Sequence, residues 1–135
     1  GITIHIRGLG LKPGMACAFG MGAGKPVLGL SGNPASSLTN FCACVLPAIR
    51  KLCGRRDALP REIQAQLADD FHKKSPAARF LRGRLDLSEG DVRFVAPKDQ
   101  GNVVLSSSIG CEAFVIIPAG SGPVKRGTVL KGFVL

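Results

Sequence analysis

Hydrophobic and polar positions change their period twice along the chain. Ile2, Ile4 and Ile6 alternate with Thr3, His5 and Arg7, the period of two expected of a strand. Gly8, Gly10 and Lys12-Pro13-Gly14 break that pattern. A short strand is expected over 15–19, a flexible connection through Gly20, Gly22 and Gly24, and a buried strand over 26–30. The period then becomes helical: Leu38, Phe41, Cys42, Val45, Leu46, Ile49 and Leu52 fall on one apolar face. Asn33 is a suitable N-cap and Pro34 suits the first helical position. Arg50 and Lys51 favour the negative end of the helix, and Gly54 is placed to close it. Pro47, inside the run, is expected to kink the helix or loosen one turn.

Residues 54–60 form a polar hinge, where a domain boundary is expected. Beyond it the period of two returns. Ile63, Ala65 and Leu67 alternate with polar residues, as do positions 80–87. A turn at 88–91 leads into 92–95, and two strongly apolar strands are expected at 111–117 and 128–135. Several short strands with glycine turns predict a small barrel. The expected fold is an α/β segment over 1–56, part of a larger α/β domain, followed by a small all-β barrel-like domain over 57–135.

Size and composition narrow the functional classes. The 135 residues leave room for one domain or two very small ones. The seven Phe are the only aromatics, which weakens any scheme of stacked nucleic-acid bases, and no nucleic-acid partner is expected. The longest apolar stretch, 41–49, is broken by Pro47 and far below the ~20 residues that span a bilayer, so no membrane partner is expected either. The chain opens Gly1-Ile2-Thr3-Ile4-His5, without a signal-peptide pattern or an initiator Met, and is expected to be cut from something longer. Five Cys without a CxxC spacing exclude the usual zinc frameworks. Buried free thiols are expected, which fits a reducing, cytoplasmic setting.

Charge is unevenly placed. Residues 1–56 contain seven Lys and Arg and no acid, whereas the rest of the chain is nearly balanced. An acid-free segment cannot by itself hold a hard divalent cation, but it can attract an anion. Four groups of residues offer chemistry of that kind. The strand-turn-helix around Ser31-Gly32-Asn33-Pro34-Ala35-Ser36-Ser37 would present backbone amides, a helix dipole and hydroxyl donors. Lys12 projects from a tight Pro-Gly turn. Arg82 and Arg84 share a strand face, and guanidinium forks suit oxyanions. Gln100-Gly101-Asn102, followed by Leu105-Ser106-Ser107, is a polar turn. Read locally, each has a plainer alternative: a capped helix with nothing bound, a solvated lysine, an ordinary charged strand face and a turn. If Arg82 faces a cleft from the barrel side, Arg82→Ala should weaken anion binding and leave stability nearly unchanged. His5 and His72 stand apart from any Ser or Cys with a third partner, so a nucleophilic triad is not expected.

Taken in order and at their separations, Lys12-Pro13-Gly14, Gly29-Leu30-Ser31-Gly32-Asn33-Pro34-Ala35-Ser36, Phe80-Leu81-Arg82-Gly83 and Gln100-Gly101-Asn102 through Ser107 resemble a known pattern. It is that of the C-terminal half of the molybdopterin molybdenumtransferase family, which includes MoeA and the gephyrin E domain. Ile116-Ile117-Pro118-Ala119-Gly120 and Gly127-Thr128-Val129-Leu130 match its closing strands. The resemblance implies insertion of molybdate into adenylylated molybdopterin with release of AMP, and a homodimer in the full-length protein. It also implies Mg2+ held by acidic ligands upstream of this chain. It assigns Lys12 and Arg82 to catalysis, and Ser31, Gly32, Asn33, Pro34, Ser36, Asn102 and Ser106 to substrate binding. An alternative within the family is a non-catalytic module binding molybdopterin or a partner peptide. Met15, Ser31 and Asn102 depart from the family's K-P-G-K, G-L-P-G-N-P and Q-G-S patterns, and Met15 removes a positive charge.

Overall fold

The computed structural model describes every residue except Glu89, residues 102–104 and the side chain of Leu105. It begins with β1 (Ile2–Arg7), followed by the two-residue β2 (Leu11–Lys12). Then come β3 (Ala18–Gly22) and β4 (Lys25–Gly29), and β1-β3-β4 form an antiparallel sheet. The strand expected over 15–19 lies three residues further on, and Gly20 and Gly22 belong to it rather than to a flexible connection. The reason is steric: a Cβ on Gly20 would run into the Thr3 carbonyl oxygen of β1. The connection shrinks to Ala23 and Gly24, with φ of +49° and +73°, the signature of a tight hairpin turn. β4 is only half-buried at Val27 and Leu28, against the burial expected of it.

Residues 34–52 form one continuous helical run. α1 (Pro34–Asn40) passes through a π-helical turn (Phe41–Val45) into α2 (Leu46–Leu52). The turn that Pro47 was expected to loosen is this wide one. Proline has no N–H to give to the carbonyl four residues back, and the Leu46 N–H bonds Phe41 instead. Gly54, at φ +75°, closes the helix, with the Arg55 N–H returning to the Arg50 carbonyl.

The remaining strands are β5 (Glu62–Leu67), β6 (Ala78–Asp86), β7 (Arg93–Val95), β8 (Ala113–Ile117) and β9 (Val129–Val134). Their order β6-β7-β5-β9-β8, with β8 paired back to β6, closes a five-stranded barrel. The chain is thus an α/β segment followed by a barrel. Ala65, Leu67, Leu81, Phe94, Ala113, Val115, Ile117 and Leu130 fill the interior. Their alternation on each strand is what the sequence period requires. On the outer face, Phe80, Phe114 and Phe133 cluster in tilted and edge-to-face pairs with centroids 5.3–6.3 Å apart. Leu38, Cys42 and Ala43 of the helical run pack against them.

A second link joins the two segments. β2 runs parallel to the start of β6, Leu11 opposite Ala78 and Lys12 opposite Arg79. Arg79 also pairs with Ile117 of β8. β2 therefore occupies the other edge of β6, the one that β7 uses further along. All five thiols are free, but only Cys42 is buried and Cys53 is exposed. The expected burial fails at Cys53 because α2 ends there, one residue before Gly54.

Candidate functional site

The helix start is a closed network of short polar side chains. The Ser36 N–H donates to Asn33 Oδ1 at 3.4 Å, which makes Asn33 the N-cap, with Pro34 at the first helical position. The Ser36 hydroxyl also donates to Asn33 Oδ1, and the Asn33 N–H donates to Ser31 Oγ at 3.2 Å. Ser37 closes the turn by donating to the Ser31 carbonyl. Ser36 is buried, while Gly32 and Pro34 are exposed. A Cβ on Gly32 would meet open space, so this glycine serves no close approach within the chain. The absence of acid in the first turn leaves the positive end of the helix dipole uncompensated.

Lys12 lies at the exposed end of β2, and Pro13 and Gly14 behind it are buried. The turn is fastened by Asn40, at the far end of α1, whose Nδ2 donates to the Gly14 carbonyl at 2.9 Å. Asn40 is fully buried, and its Oδ1 has no partner. Gly14 is at φ +116°, and a Cβ there would collide with that Oδ1. The structure thus brings the Lys12 turn to the end of α1 seven residues from Asn33, about 10 Å along the helix axis.

Arg82 is not on an exposed strand face. Its exposure is 2%, whereas Arg84 on the same strand is exposed. It lies on the outer barrel face opposite Phe114. Its Nη2 donates to the Gly101 carbonyl at 2.9 Å and to Ser107 Oγ, and its Nε has no partner. Gln100 clamps the same residue from the backbone side. Its Nε2 donates to the Arg82 carbonyl at 2.9 Å, and its Oε1 accepts the Arg82 N–H at 3.3 Å. Burial pulls the guanidinium below its ordinary pKa, partly offset by the Cys111 thiol and Asp99. Arg82 staples the polar loop to the barrel, and the 3-10 turn of that loop (Leu105–Ser108) lies against α1.

α1 therefore gathers three of the four motifs: its own cap, the Lys12 turn and the loop held by Arg82. Ser106 is exposed on the 3-10 turn, and Asn102 lies outside the described residues. Sequence reasoning missed Asn40 and Arg79. A polar residue inside the helical run was the only sign of Asn40, and nothing local marks Arg79, which β2 pairing brings beside Lys12. No three His, Cys, Asp or Glu side chains cluster as metal ligands among the described residues.

The family profile of the MoeA C-terminal region (domain IV) matches residues 64–132. Over 119 residues the chain is 34% identical to a molybdopterin molybdenumtransferase of Staphylococcus aureus, covering 87% of this chain and 28% of that protein. The Staphylococcus epidermidis relative of the same name is 29% identical, with 88% and 28% covered. A crystal structure of the molybdopterin biosynthesis MoeA protein of Pyrococcus horikoshii OT3 superposes with a TM-score of 0.72 at 26% identity, over 99% of this chain and 33% of the other. A molybdenum cofactor biosynthesis protein of Pyrococcus furiosus shares the fold, with a TM-score of 0.73 at 23% identity, over 99% of this chain and 46% of the other. The chain spans little more than a quarter of the length of the curated relatives it matches.

Proposed function

The chain belongs to the family of the MoeA C-terminal region, and from that premise we propose that it works in molybdenum cofactor biosynthesis. In this reading it is one part of a cytoplasmic transferase that inserts molybdate into adenylylated molybdopterin and releases AMP. Residues 1–56 complete an α/β substrate-binding domain, 57–135 are the barrel domain, and the full protein assembles as a homodimer. The observation that supports it best is the convergence on α1 of the Lys12 turn and the Arg82-held loop, in a segment whose first acid is Asp57.

Each residue has a role in this scheme. Lys12 supplies a positive charge to the oxyanion substrate, on a turn that Asn40 holds in place. The uncompensated start of α1, capped by Asn33 with Ser31 and Ser36, offers a second anion-attracting surface, flanked by Gly32 and Pro34. Arg82 acts through Gln100, Gly101 and Ser107, positioning the loop that carries Asn102 and Ser106 rather than touching the anion itself.

The described residues do not fit the magnesium ion that the family implies. Asp57 is paired with Arg55 at 2.6 Å and Asp70 with Lys125 at 3.0 Å, and neither belongs to a ligand cluster.

The test is a chimera in which this chain replaces the corresponding part of the Staphylococcus aureus relative. AMP release from adenylylated molybdopterin should depend on molybdate and fall at least about tenfold with Lys12→Met, the scale of one lost charge-assisted contact. An unchanged rate in the variant would remove Lys12 from the site. The second reading, a partner-peptide module, draws on one feature. A groove of about 560 Å3 runs between Ala43, Leu59, Pro60, residues 62–64 and the outer barrel face at Phe80 and Phe133. A chimera that folds but releases no AMP under any condition would favour it.

A further inference from the structure

β5 and β7 run parallel, with Leu67 opposite Phe94, so both strands finish at the same end of the barrel. The loops that follow them line a cavity of about 460 Å3. That size is within the range of small-ligand pockets, and barrel mouths are a preferred place for them. Its floor is apolar. Leu67 and Leu81 belong to the barrel core, at 3% and 1% exposure, yet both line the cavity, which therefore reaches the interior. Phe71, Ala96 and Pro97 complete the apolar wall. Phe71 is fixed in place: its N–H and its carbonyl both bond Val124 at 2.8 Å, and the Arg79 guanidinium lies over its ring at 5.6 Å from the centroid.

The rim carries both signs of charge, and each loop supplies both. Asp69 and Lys73 come from the loop after β5, Lys98 and Asp99 from the loop after β7. Asp70, also on the rim, is already taken by Lys125 and the Arg126 N–H. Asp99 spends Oδ1 on the Gly101 N–H at 2.6 Å, and Gln100 is committed to the Arg82 backbone. Asp69, Lys73 and Lys98 form no ion pair or hydrogen bond among the described residues. A purely apolar ligand would leave these groups unused, and a ligand of one charge would answer only one sign. We propose that the cavity binds an apolar α-amino acid, its side chain on the leucine floor and its two charged groups on the rim. The carboxylate is complementary to Lys73 and Lys98, and the ammonium to Asp69. This site lies apart from the Lys12 turn and the start of α1, and does not depend on the oxyanion chemistry assigned to them.

The experiment titrates the 135-residue chain, methyl-labelled at leucine, with L-phenylalanine. Two further titrations use compounds that keep its ring and lose one charge, 3-phenylpropionate and phenethylamine. The Leu67 and Leu81 methyl signals should shift, and those of Leu38, which packs against the phenylalanine cluster outside the barrel, should not. Phenylalanine should bind about threefold tighter than either analogue, the scale of one exposed charge contact. The double variant Lys73→Glu, Lys98→Glu should weaken phenylalanine and 3-phenylpropionate by about threefold or more and leave phenethylamine no weaker. Asp69→Asn should do the converse, weakening phenylalanine and phenethylamine and sparing 3-phenylpropionate. All three positions are exposed, so these variants keep the fold. Leu67 and Leu81 signals that stay still at millimolar phenylalanine overturn the site. Equal affinity for all three compounds, or unchanged phenylalanine affinity in the variants, overturns the assignment to an amino acid. None of these outcomes decides the proposed function, which stands or falls on AMP release by the chimera.

Discussion

Arg82→Ala should destabilise the chain by about 3 kcal/mol, against the half kilocalorie or less that an exposed strand arginine would change. The side chain is 2% exposed, and its Nη2 gives charge-assisted hydrogen bonds to Gly101 and Ser107. Each such bond contributes about 1.5 kcal/mol at the low end. Two buried methylenes are lost as well, at about 0.8 kcal/mol each. One effect opposes these: no carboxylate pairs with Arg82 among the described residues, so its removal relieves a desolvated charge, worth about 1–2 kcal/mol here. The balance separates two variants. Arg82→Met keeps most of the volume and removes the charge, and should cost about 1–2 kcal/mol, roughly half the loss expected for Arg82→Ala. Urea unfolding followed by far-UV circular dichroism measures both. Equal midpoints for parent and Arg82→Ala would show that the staple between barrel and loop does not exist in solution.

Asn40→Ala should release the Lys12 turn. Gly8 and Leu9 donate to the Cys17 and Met15 carbonyls across that turn, so their amides should exchange faster, while the Val115 amide in the barrel stays protected. Slowed or unchanged exchange at Gly8 and Leu9 would deny the clip. Asp70 is held below the usual carboxylate range, first by the Arg126 N–H and then by Lys125. Its contribution is therefore present above the unfolded value near 3.9 and is lost as pH falls through the lower folded value. Asp70→Asn should accordingly flatten the acid limb of a melting-temperature profile below about pH 4, and a profile parallel to the parent's would contradict the linkage.

The barrel was the most legible part of the sequence. Period-two alternation over 63–67 and 80–87, with the strongly apolar runs at 111–117 and 128–135, reports strands of a closed sheet, and both signals are local in sequence. The helix was legible for a related reason, since Asn33, Pro34 and Gly54 act on their own neighbours. What escaped depends on register. Two residues of β2 are too short to show a period, yet they bring Lys12 to Arg79. Arg82 looks like a surface residue until a loop 18–25 positions away covers it. The glycines of β3 look like a linker because their role, close approach to β1, belongs to a partner strand.

Side-by-side measurement of AMP release from adenylylated molybdopterin, with magnesium and molybdate, by the 135-residue chain and by its chimera with the upstream part of the Staphylococcus aureus relative tests the central claim most directly. The expected result is turnover by the chimera and none by the chain alone, because developing negative charge is offset by a cation, and no three ligating side chains cluster among the described residues. Turnover by the isolated chain at a rate near that of the chimera would contradict it.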